Sequence, residues 1–215
     1  YPRTLEKDAN LLESLGVHFV FAPTPEEMYT PEEMQQPFSF DFNGLDTVME
    51  GKMRPGHFNG VVQVVSRLFE LVRPTRAYFG EKDFQQLAII RHMVDQSSLA
   101  GQFEGLKIIG CPIVREKSGL AMSSRNERLS ENEKQIAVGI SKTLISSVEW
   151  AKNTSVEDVK QRVIDTINAI DGLEVEYYEI VDKTTLQPTN TFQNAIGCVT
   201  VYCGPVRLID NIQYQ

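Results

Sequence analysis

The stretch RAYFGEKDFQQLAIIRHMVDQSSLAGQFEGLKIIG, residues 76–110, decides the fold class of this 215-residue chain. It begins with a short apolar strand pattern at 76–80 and ends with another at 106–110. Between them, residues 83–96 have the Asp cap and the composition of a helix. A strand, a helix and a second strand at this spacing predict a crossover between parallel neighbours, and therefore a parallel α/β sheet.

The residues before this stretch predict mostly helices. A helix follows Thr4 and ends before Gly16, and the apolar run HFVFA at 18–22 is typical of a buried strand. TPEEM occurs at 24–28 and again at 30–34, each time with a Thr N-cap, Pro at the first helical position and acids in the first turn. We interpret this repeat as capping chemistry used twice.

A long amphipathic helix is predicted just ahead of the first strand, and Pro74 ends it. Its apolar residues recur at the helical period of 3.6 and should share one face. They are Val61, Val64, Val65, Leu68, Phe69 and Val72.

The pattern changes after about residue 110. Ser130 opens a capping box for a helix that reaches about Trp150, and Ser155 caps a second helix whose apolar face should point inward. Strand-like runs follow, and helices followed by strands predict a separate α+β unit. We therefore expect two domains, 1–110 and 111–215, joined by a tight hinge. The apolar face is Val156, Val159, Val163, Ile167 and Ile170, and the strand-like runs are 175–181, 196–203 and 206–209.

Charge and composition narrow the possible partners. The net charge is −8 and the isoelectric point about 5.0, so a nucleic acid or an anionic membrane is a poor partner. No apolar run approaches the roughly 18–20 residues of a membrane span, and we expect neither a signal peptide nor a bound structural metal. The cysteines Cys111, Cys198 and Cys203 form no CxxC pair, which favours buried thiols in a reducing compartment.

RPGHFNG, residues 54–60, is the first of three stretches with candidate functional residues. It carries Arg54 and His57 on a Gly/Pro turn just before a helix. A helix N-terminus with these neighbours suits an anion. The residues alone leave open a solvated turn.

YFGEKDFQQL, residues 78–87, places Lys82 between a strand end and a helix start, where open α/β sheets bind ligands. The ammonium group of Lys82 suits phosphate, and Gly80 lets a ligand approach the backbone. Gln86 has two interpretations, because its spacing from Asp83 also fits a capping box.

VREKSGLAMSSRN, residues 114–126, places two serines before Arg125 in a loop. Hydroxyl groups and a guanidinium group can clamp a phosphate, although a polar surface loop has the same composition. Taken together, the three stretches supply cations beside helix starts in an acidic protein, which suits a nucleoside triphosphate.

Six segments resemble the pantoate–β-alanine ligase family in the family's order: YPRTLEKD, RPGHFNGVVQVVSRLF, YFGEKDFQQL, LAMSSRNERLS, YYEIVDKTTLQP and RLIDNI. The resemblance implies a Rossmann-type nucleotidyltransferase domain followed by a smaller α+β lid domain. It also implies a cytoplasmic homodimer. The implied reaction joins pantoate to β-alanine with Mg²⁺ and ATP through a pantoyl adenylate, and releases AMP and pyrophosphate. Such chemistry needs positioning and charge neutralisation more than a protein nucleophile.

The resemblance also implies residue roles. Lys82 would hold the ATP phosphates and stabilise the transition state, and Gln86 would bind pantoate. Arg54 and His57 would lie at the active site. The nucleotide would be lined by Gly80, Glu81, Lys82 and Asp83, contacted at adenine by the backbone of Val114 and Met122, and clamped by Ser123, Ser124 and Arg125.

The family's HxGH signature is absent from this sequence, where His18, His57 and His92 stand in other contexts. We therefore expect the sequence to correspond to a synthetase without about 70 N-terminal residues, and expect the chain by itself to be inactive. Two alternatives remain: a non-catalytic fragment, or an adenylyltransferase for another small carboxylic acid.

Overall fold

The computed structural model describes residues 4–35 and 38–214, in two compact units, residues 1–38 and 39–215. The first unit contains the helices α1 (Leu5–Ser14), α2 (Pro25–Met28) and α3 (Pro31–Gln35). The capping prediction is confirmed, because the amides of Thr24 and Thr30 each donate to the glutamate three residues later, both at 2.8 Å.

The strand predicted at 18–22 is wrong. These residues form no strand, and Phe19 is 92% exposed. No strand among the described residues pairs with the segment, so its apolar side chains do not enter a sheet. The sequence pattern of an apolar run does not distinguish a buried strand from an extended segment that pairs with no other strand.

The second unit begins with the parallel part of the fold. Its helices are α4 (Met49–Met53), α5 (His57–Val72) and α6 (Phe84–Leu99), and its strands are β1 (Arg76–Gly80) and β2 (Lys107–Cys111). The two strands pair in parallel, as predicted, with Gly80 opposite Cys111. A 3₁₀ turn, Glu81–Asp83, joins β1 to α6.

The apolar face predicted for α5 is only partly right. Val64 and Val72 are 43% and 52% exposed, whereas Phe58, Val62 and Phe69 are buried. The buried stripe is rotated relative to the predicted one, because Phe58 and Val62, which lie outside the predicted set, belong to it.

The C-terminal part follows the predicted order of helices and strands. It contains α7 (Glu131–Trp150), α8 (Val156–Asn168), β3 (Leu173–Asp182), β4 (Ala195–Cys203) and β5 (Val206–Gln213). The strands form an antiparallel sheet in the order β3-β4-β5. The Ser130 and Ser155 side chains cap α7 and α8 as predicted.

The unit of residues 39–215 has two apolar clusters. One lies wholly within residues 120–214, between α7, α8 and the antiparallel sheet. The other joins residues 42–94 to four residues of the C-terminal part, Val181, Leu186, Ile196 and Cys198. The domain boundary near residue 110 stays a prediction. Within the described ranges, no helix has both the length and the apolar character needed to cross a bilayer.

Candidate functional site

A cleft in the unit of residues 39–215 collects residues from all three candidate stretches. It holds about 540 Å³ when the space at its open mouth is included. Six of the predicted residues line it: Arg54, His57, Lys82, Asp83, Gln86 and Arg125. The cleft therefore joins groups that are up to about 70 positions apart in the chain.

The other predicted residues lie around this cleft. Ser123 lines an adjoining cavity together with Lys82 and Arg125, and also borders a third cavity with Met122 and Ser124. Gly80, Glu81 and Val114 line none of these three cavities. The nucleotide roles of these residues stay predictions.

Gly56 brings Arg54 and His57 to the cleft. Arg54 ends α4, where its amide donates to the Glu50 carbonyl at 2.8 Å, and His57 is the first residue of α5. The turn between the helices needs Gly56, whose φ of 78° is strained for a residue with a side chain. Burial and the nearby Arg54 charge lower the pKa of His57 below its usual 6.5, so the imidazole is neutral at pH 7.

Lys82 lies on the 3₁₀ turn that follows β1. The carbonyl oxygens of Glu81 and Lys82 accept hydrogen bonds from the Asn211 amide nitrogen, at 2.8 and 3.0 Å. Burial lowers the pKa of Lys82, while the charges of Asp83 and Asp210 oppose this shift. Across the described residues its ammonium group forms no salt bridge. A half-buried cation without an ion-pair partner is suited to an anionic ligand.

Arg125 is a second cation of the cleft without a salt-bridge partner among the described residues. Ser123 caps the 3₁₀ turn Ser124–Arg128, and its hydroxyl oxygen accepts from the Arg125 amide at 3.2 Å. The Arg125 guanidinium group is exposed toward the cleft and forms no salt bridge with the part of the chain that the structure describes. Its donors are thus available to a phosphate, as the sequence predicted.

The segment before this turn is a short hairpin. The Met122 amide donates to the Val114 carbonyl at 2.9 Å, and the Glu116 amide to the Leu120 carbonyl at 2.8 Å. Both Val114 and Met122 expose their side chains. Their predicted backbone contact with adenine therefore concerns the polar groups that this pairing leaves, the Val114 amide and the Met122 carbonyl.

Two adjacent glutamines have different surroundings. Gln85 is buried, and its amide group bonds the Leu45 carbonyl at 2.7 Å, the Val48 carbonyl at 2.9 Å and the Glu50 amide at 2.9 Å. Gln86 lines the cleft, and its amide forms no hydrogen bond to Asp83 or to any other described residue. The capping-box interpretation of Gln86 is therefore wrong.

Sequence reasoning missed a half-buried ionic network beside the cleft. The Arg207 guanidinium group donates to Glu50 at 2.5 and 2.9 Å and to Glu176 at 2.6 and 2.9 Å. The Tyr177 hydroxyl also donates to Glu50, at 2.9 Å. These donors and the Arg54 charge lower the pKa of Glu50 despite its burial, which alone would raise it.

A second missed pair is Arg115 with Asp210. The guanidinium group contacts both carboxylate oxygens, at 2.7 and 2.9 Å, and Asp210 is 5% exposed. In sequence, Arg115 and Asp210 are 95 positions apart, and Arg207 and Glu50 are 157 apart. The segment RLIDNI contains both C-terminal partners, but nothing local in it indicates what they bind.

The described residues offer no cluster of three or more His, Cys, Asp or Glu side chains that could hold a metal ion. The cleft instead combines a neutral imidazole with two cations, Lys82 and Arg125, and one amide, that of Gln86, for which the described residues supply no partner. Such a set can bind a polyanion and orient a smaller polar molecule.

Known proteins are similar to this chain in sequence and in fold. The family model described as pantoate-beta-alanine ligase matches residues 1–213. Pantothenate synthetases of Phocaeicola vulgatus and Bacteroides fragilis are 57% and 55% identical over the whole of this chain, which covers 75% and 74% of theirs. The pantothenate synthetase of Thermus thermophilus superposes with a TM-score of 0.89 at 39% identity, over 100% of this chain and 76% of that one.

A further solved structure carries ligands. It is a pantoate-beta-alanine ligase from Francisella tularensis in complex with beta-gamma ATP and beta-alanine, with a TM-score of 0.74 at 31% identity. It matches 99% of this chain and 71% of its own. The predicted α/β class with a following C-terminal part is thereby confirmed.

Proposed function

The chain belongs to the pantoate–β-alanine ligase family, and from that premise we propose that it joins pantoate to β-alanine at the cleft of residues 39–215, at the expense of ATP. The observation that carries this proposal is the presence of two cations in the cleft that no carboxylate of the described residues neutralises. Lys82 and Arg125 line it without a salt-bridge partner among the described residues. An acidic protein that keeps two such cations in one cleft is suited to a triphosphate.

The first step is an in-line displacement at the α-phosphorus of ATP. A pantoate carboxylate oxygen forms the new O–P bond, the bond to the β-phosphate oxygen breaks, and pyrophosphate leaves with the electron pair. Negative charge grows on the phosphate oxygens, and Lys82 and Arg125 stabilise it from fixed positions. Preorganised charges of this kind lower a barrier without protein rearrangement.

The second step is acyl transfer. The β-alanine amine attacks the carbonyl carbon of the pantoyl adenylate, the C–O bond to the phosphate breaks, and AMP leaves with its electron pair. The amine nitrogen releases its proton to water as the amide forms. Because its pKa is lowered, His57 is a neutral group at the cleft and can hold a hydrogen bond to either substrate.

Gln86 is the proposed ligand of pantoate. Its amide faces the cleft with no partner in the described part of the chain, so it has both a donor and an acceptor to offer a hydroxyl or carboxylate group. Gln85 supports the same assignment, because its side chain already makes the hydrogen bonds to the nearby backbone, so Gln86 is not needed for them.

Mg²⁺ would reach the site on the triphosphate. This ion usually keeps several waters and binds through one or two carboxylates and substrate phosphates, so it needs no protein cage. Asp83, exposed at the cleft, is the carboxylate that fits such a role. The bound ion supplies charge neutralisation on the phosphates. We further propose a Rossmann-type nucleotide domain, a homodimer and a cytoplasmic location.

The test is a product analysis of the complete gene product with ATP, pantoate and β-alanine. We expect pantothenate, AMP and pyrophosphate in equal amounts. With β-alanine left out, labelled pyrophosphate should exchange into ATP only when pantoate is present, because the adenylate step is reversible. ADP and phosphate as products would contradict the adenylate route, and absence of pantothenate would contradict the function.

A polypeptide limited to residues 1–215 serves as a second arm. It has no HxGH sequence, and each missing phosphate donor costs on the order of 10²–10³ in rate. We therefore expect it to be at least 100-fold slower than a chimera that adds the N-terminal segment of the Phocaeicola vulgatus relative. Rates within tenfold of each other would contradict this expectation.

A further inference from the structure

Strand β5 bonds to every segment that supplies a ligand group to the cleft. The three segments, residues 54–57, 80–86 and 114–125, are far apart in the chain. Each of them, or the helix that carries it, has a hydrogen bond to one of three β5 residues: Arg207, Asp210 and Asn211. A strand held in a three-stranded sheet is a more rigid support than a loop.

Arg207 fixes the helix that ends in Arg54. Its guanidinium group binds the Glu50 carboxylate, one turn before Arg54 in α4. Within the described residues its side chain bonds to Glu50 and Glu176, so its charge is compensated by two carboxylates. Arg207 therefore has little capacity to bind a phosphate, unlike Lys82 and Arg125.

Asp210 fixes the hairpin that leads to Arg125. Its carboxylate accepts two hydrogen bonds from Arg115, which also donates to the Gly119 carbonyl at 3.2 Å. Planar two-point pairs of this type define orientation as well as distance. The hairpin therefore cannot rotate without breaking an ion pair whose carboxylate is buried.

Asn211 fixes the turn that carries Lys82. Its side chain is 4% exposed, and its amide nitrogen donates to two consecutive carbonyl groups, those of Glu81 and Lys82. These carbonyls belong to the 3₁₀ turn between β1 and α6. The Lys82 backbone is thus held by a side chain from a strand more than 120 residues later.

We propose that β5 is the positioning strand of this site and that Asn211 is the positioning residue for Lys82. The kinetic part of the proposal rests on the proposed function, but the structural part does not. Asn211 acts by keeping the Lys82 ammonium group where phosphate charge develops. Displacement of a catalytic group by about 1 Å can cost about 100-fold in rate.

The test is a double-mutant cycle in the complete gene product, with single-turnover rates of pantothenate formation. Asn211→Ala should lower the rate by about 10- to 100-fold. In the Lys82→Ala background the same substitution should change the rate by less than about twofold, because the group that it positions is gone. The control is Asn168→Ala, which removes an asparagine bond to the Val175 amide away from the cleft.

Equal effects of Asn211→Ala in both backgrounds would overturn the proposal, since they would mean that Asn211 contacts substrate or acts elsewhere. So would a lower melting temperature with an unchanged rate, the result expected for Asn168→Ala. Hydrogen exchange of the peptide covering residues 80–84 is independent of catalysis. It should accelerate at least tenfold in Asn211→Ala; no acceleration overturns the proposal even in a protein that makes no pantothenate.

Discussion

The turn after β1 and the strand β5, in the parallel and antiparallel parts of the 39–215 unit, differ in how far their charged side chains are paired. The turn after β1 presents Lys82 without an ion pair among the described residues, and Arg54, before α5, is 3.7 Å from its carboxylate partner. In β5, by contrast, Arg207 and Asp210 are each bonded at two or more points. The candidate ligand cations Lys82 and Arg125 thus have no ion pair among the described residues, and Arg54 has only a long one. The β5 charges that hold the surrounding segments, which we call the frame, are fully paired.

The cation at the parallel side should therefore affect rate and leave stability nearly unchanged. Lys82→Ala in the complete gene product should lower kcat by about 10²–10³-fold and raise the KM for ATP far less, because the charge it meets grows in the transition state. Steady-state kinetics and a melting curve measure both. Lys142→Ala, an exposed lysine of α7, is the control and should change neither.

An unchanged kcat with a higher KM for ATP would assign Lys82 to uniform binding. A large drop in melting temperature would remove the distinction between the two kinds of cation.

Arg207 should behave in the reverse manner. Arg207→Met leaves Glu50 and Glu176 as neighbouring carboxylates, each with a side chain only 16% exposed. Removing one partner of a fully buried pair costs about 3–5 kcal/mol, so for this half-buried network we expect a loss of about 1–3 kcal/mol of unfolding free energy. Denaturant unfolding measures it, and Lys152→Met is the control, because its pair with Glu149 is exposed and worth less than about 1 kcal/mol.

A stable Arg207→Met protein that has lost ATP affinity would place Arg207 among the ligand-binding cations instead. If the variant does not fold, Tyr202→Phe removes only one hydrogen bond to Glu176, at 3.2 Å. It should lower the unfolding free energy by about 1 kcal/mol. No loss of stability in that variant would contradict the structural role of the network.

The candidate ligand cations could be predicted from the sequence, and the ion pairs of β5 could not. Lys82 and Arg125 stand in short stretches where a strand or loop meets a helix start, so their type and place already predict an anion site. The partner of Arg207 is Glu50, 157 positions away, and no spacing rule connects them. Only the folded chain shows that three residues of RLIDNI bond to distant segments that border the cleft.

Local signals also predicted some elements better than others. The capping box at Ser130 predicted the start of α7, because the bonds of a cap form within four residues. The run at 18–22 has no such internal bonds, and its strand prediction failed because a strand needs a partner elsewhere. Gln85 and Gln86 illustrate the same limit, since two identical side chains differ only in what surrounds them.

These two glutamines provide the most sensitive test of the distinction between frame and ligand. Gln86→Ala should weaken pantoate binding by about 1–3 kcal/mol, or about 5- to 150-fold, and leave the melting temperature unchanged, because its amide has no protein partner in the described residues. Gln85→Ala is the matched variant. It leaves the Leu45 and Val48 carbonyls and the Glu50 amide without their partner, so stability should fall.

Calorimetric melting and pantoate titration give a melting temperature and a pantoate affinity for each variant. The affinity should fall in Gln86→Ala, and the melting temperature should fall in Gln85→Ala. A lower melting temperature of Gln86→Ala with unchanged pantoate affinity would show that Gln86 has a structural role and does not bind pantoate. Equal losses of affinity in both variants would have a different meaning. Because Gln85 bonds the Glu50 amide at the start of α4, such a result would show that pantoate affinity depends on α4, and that the frame and the ligand groups cannot be separated at this position.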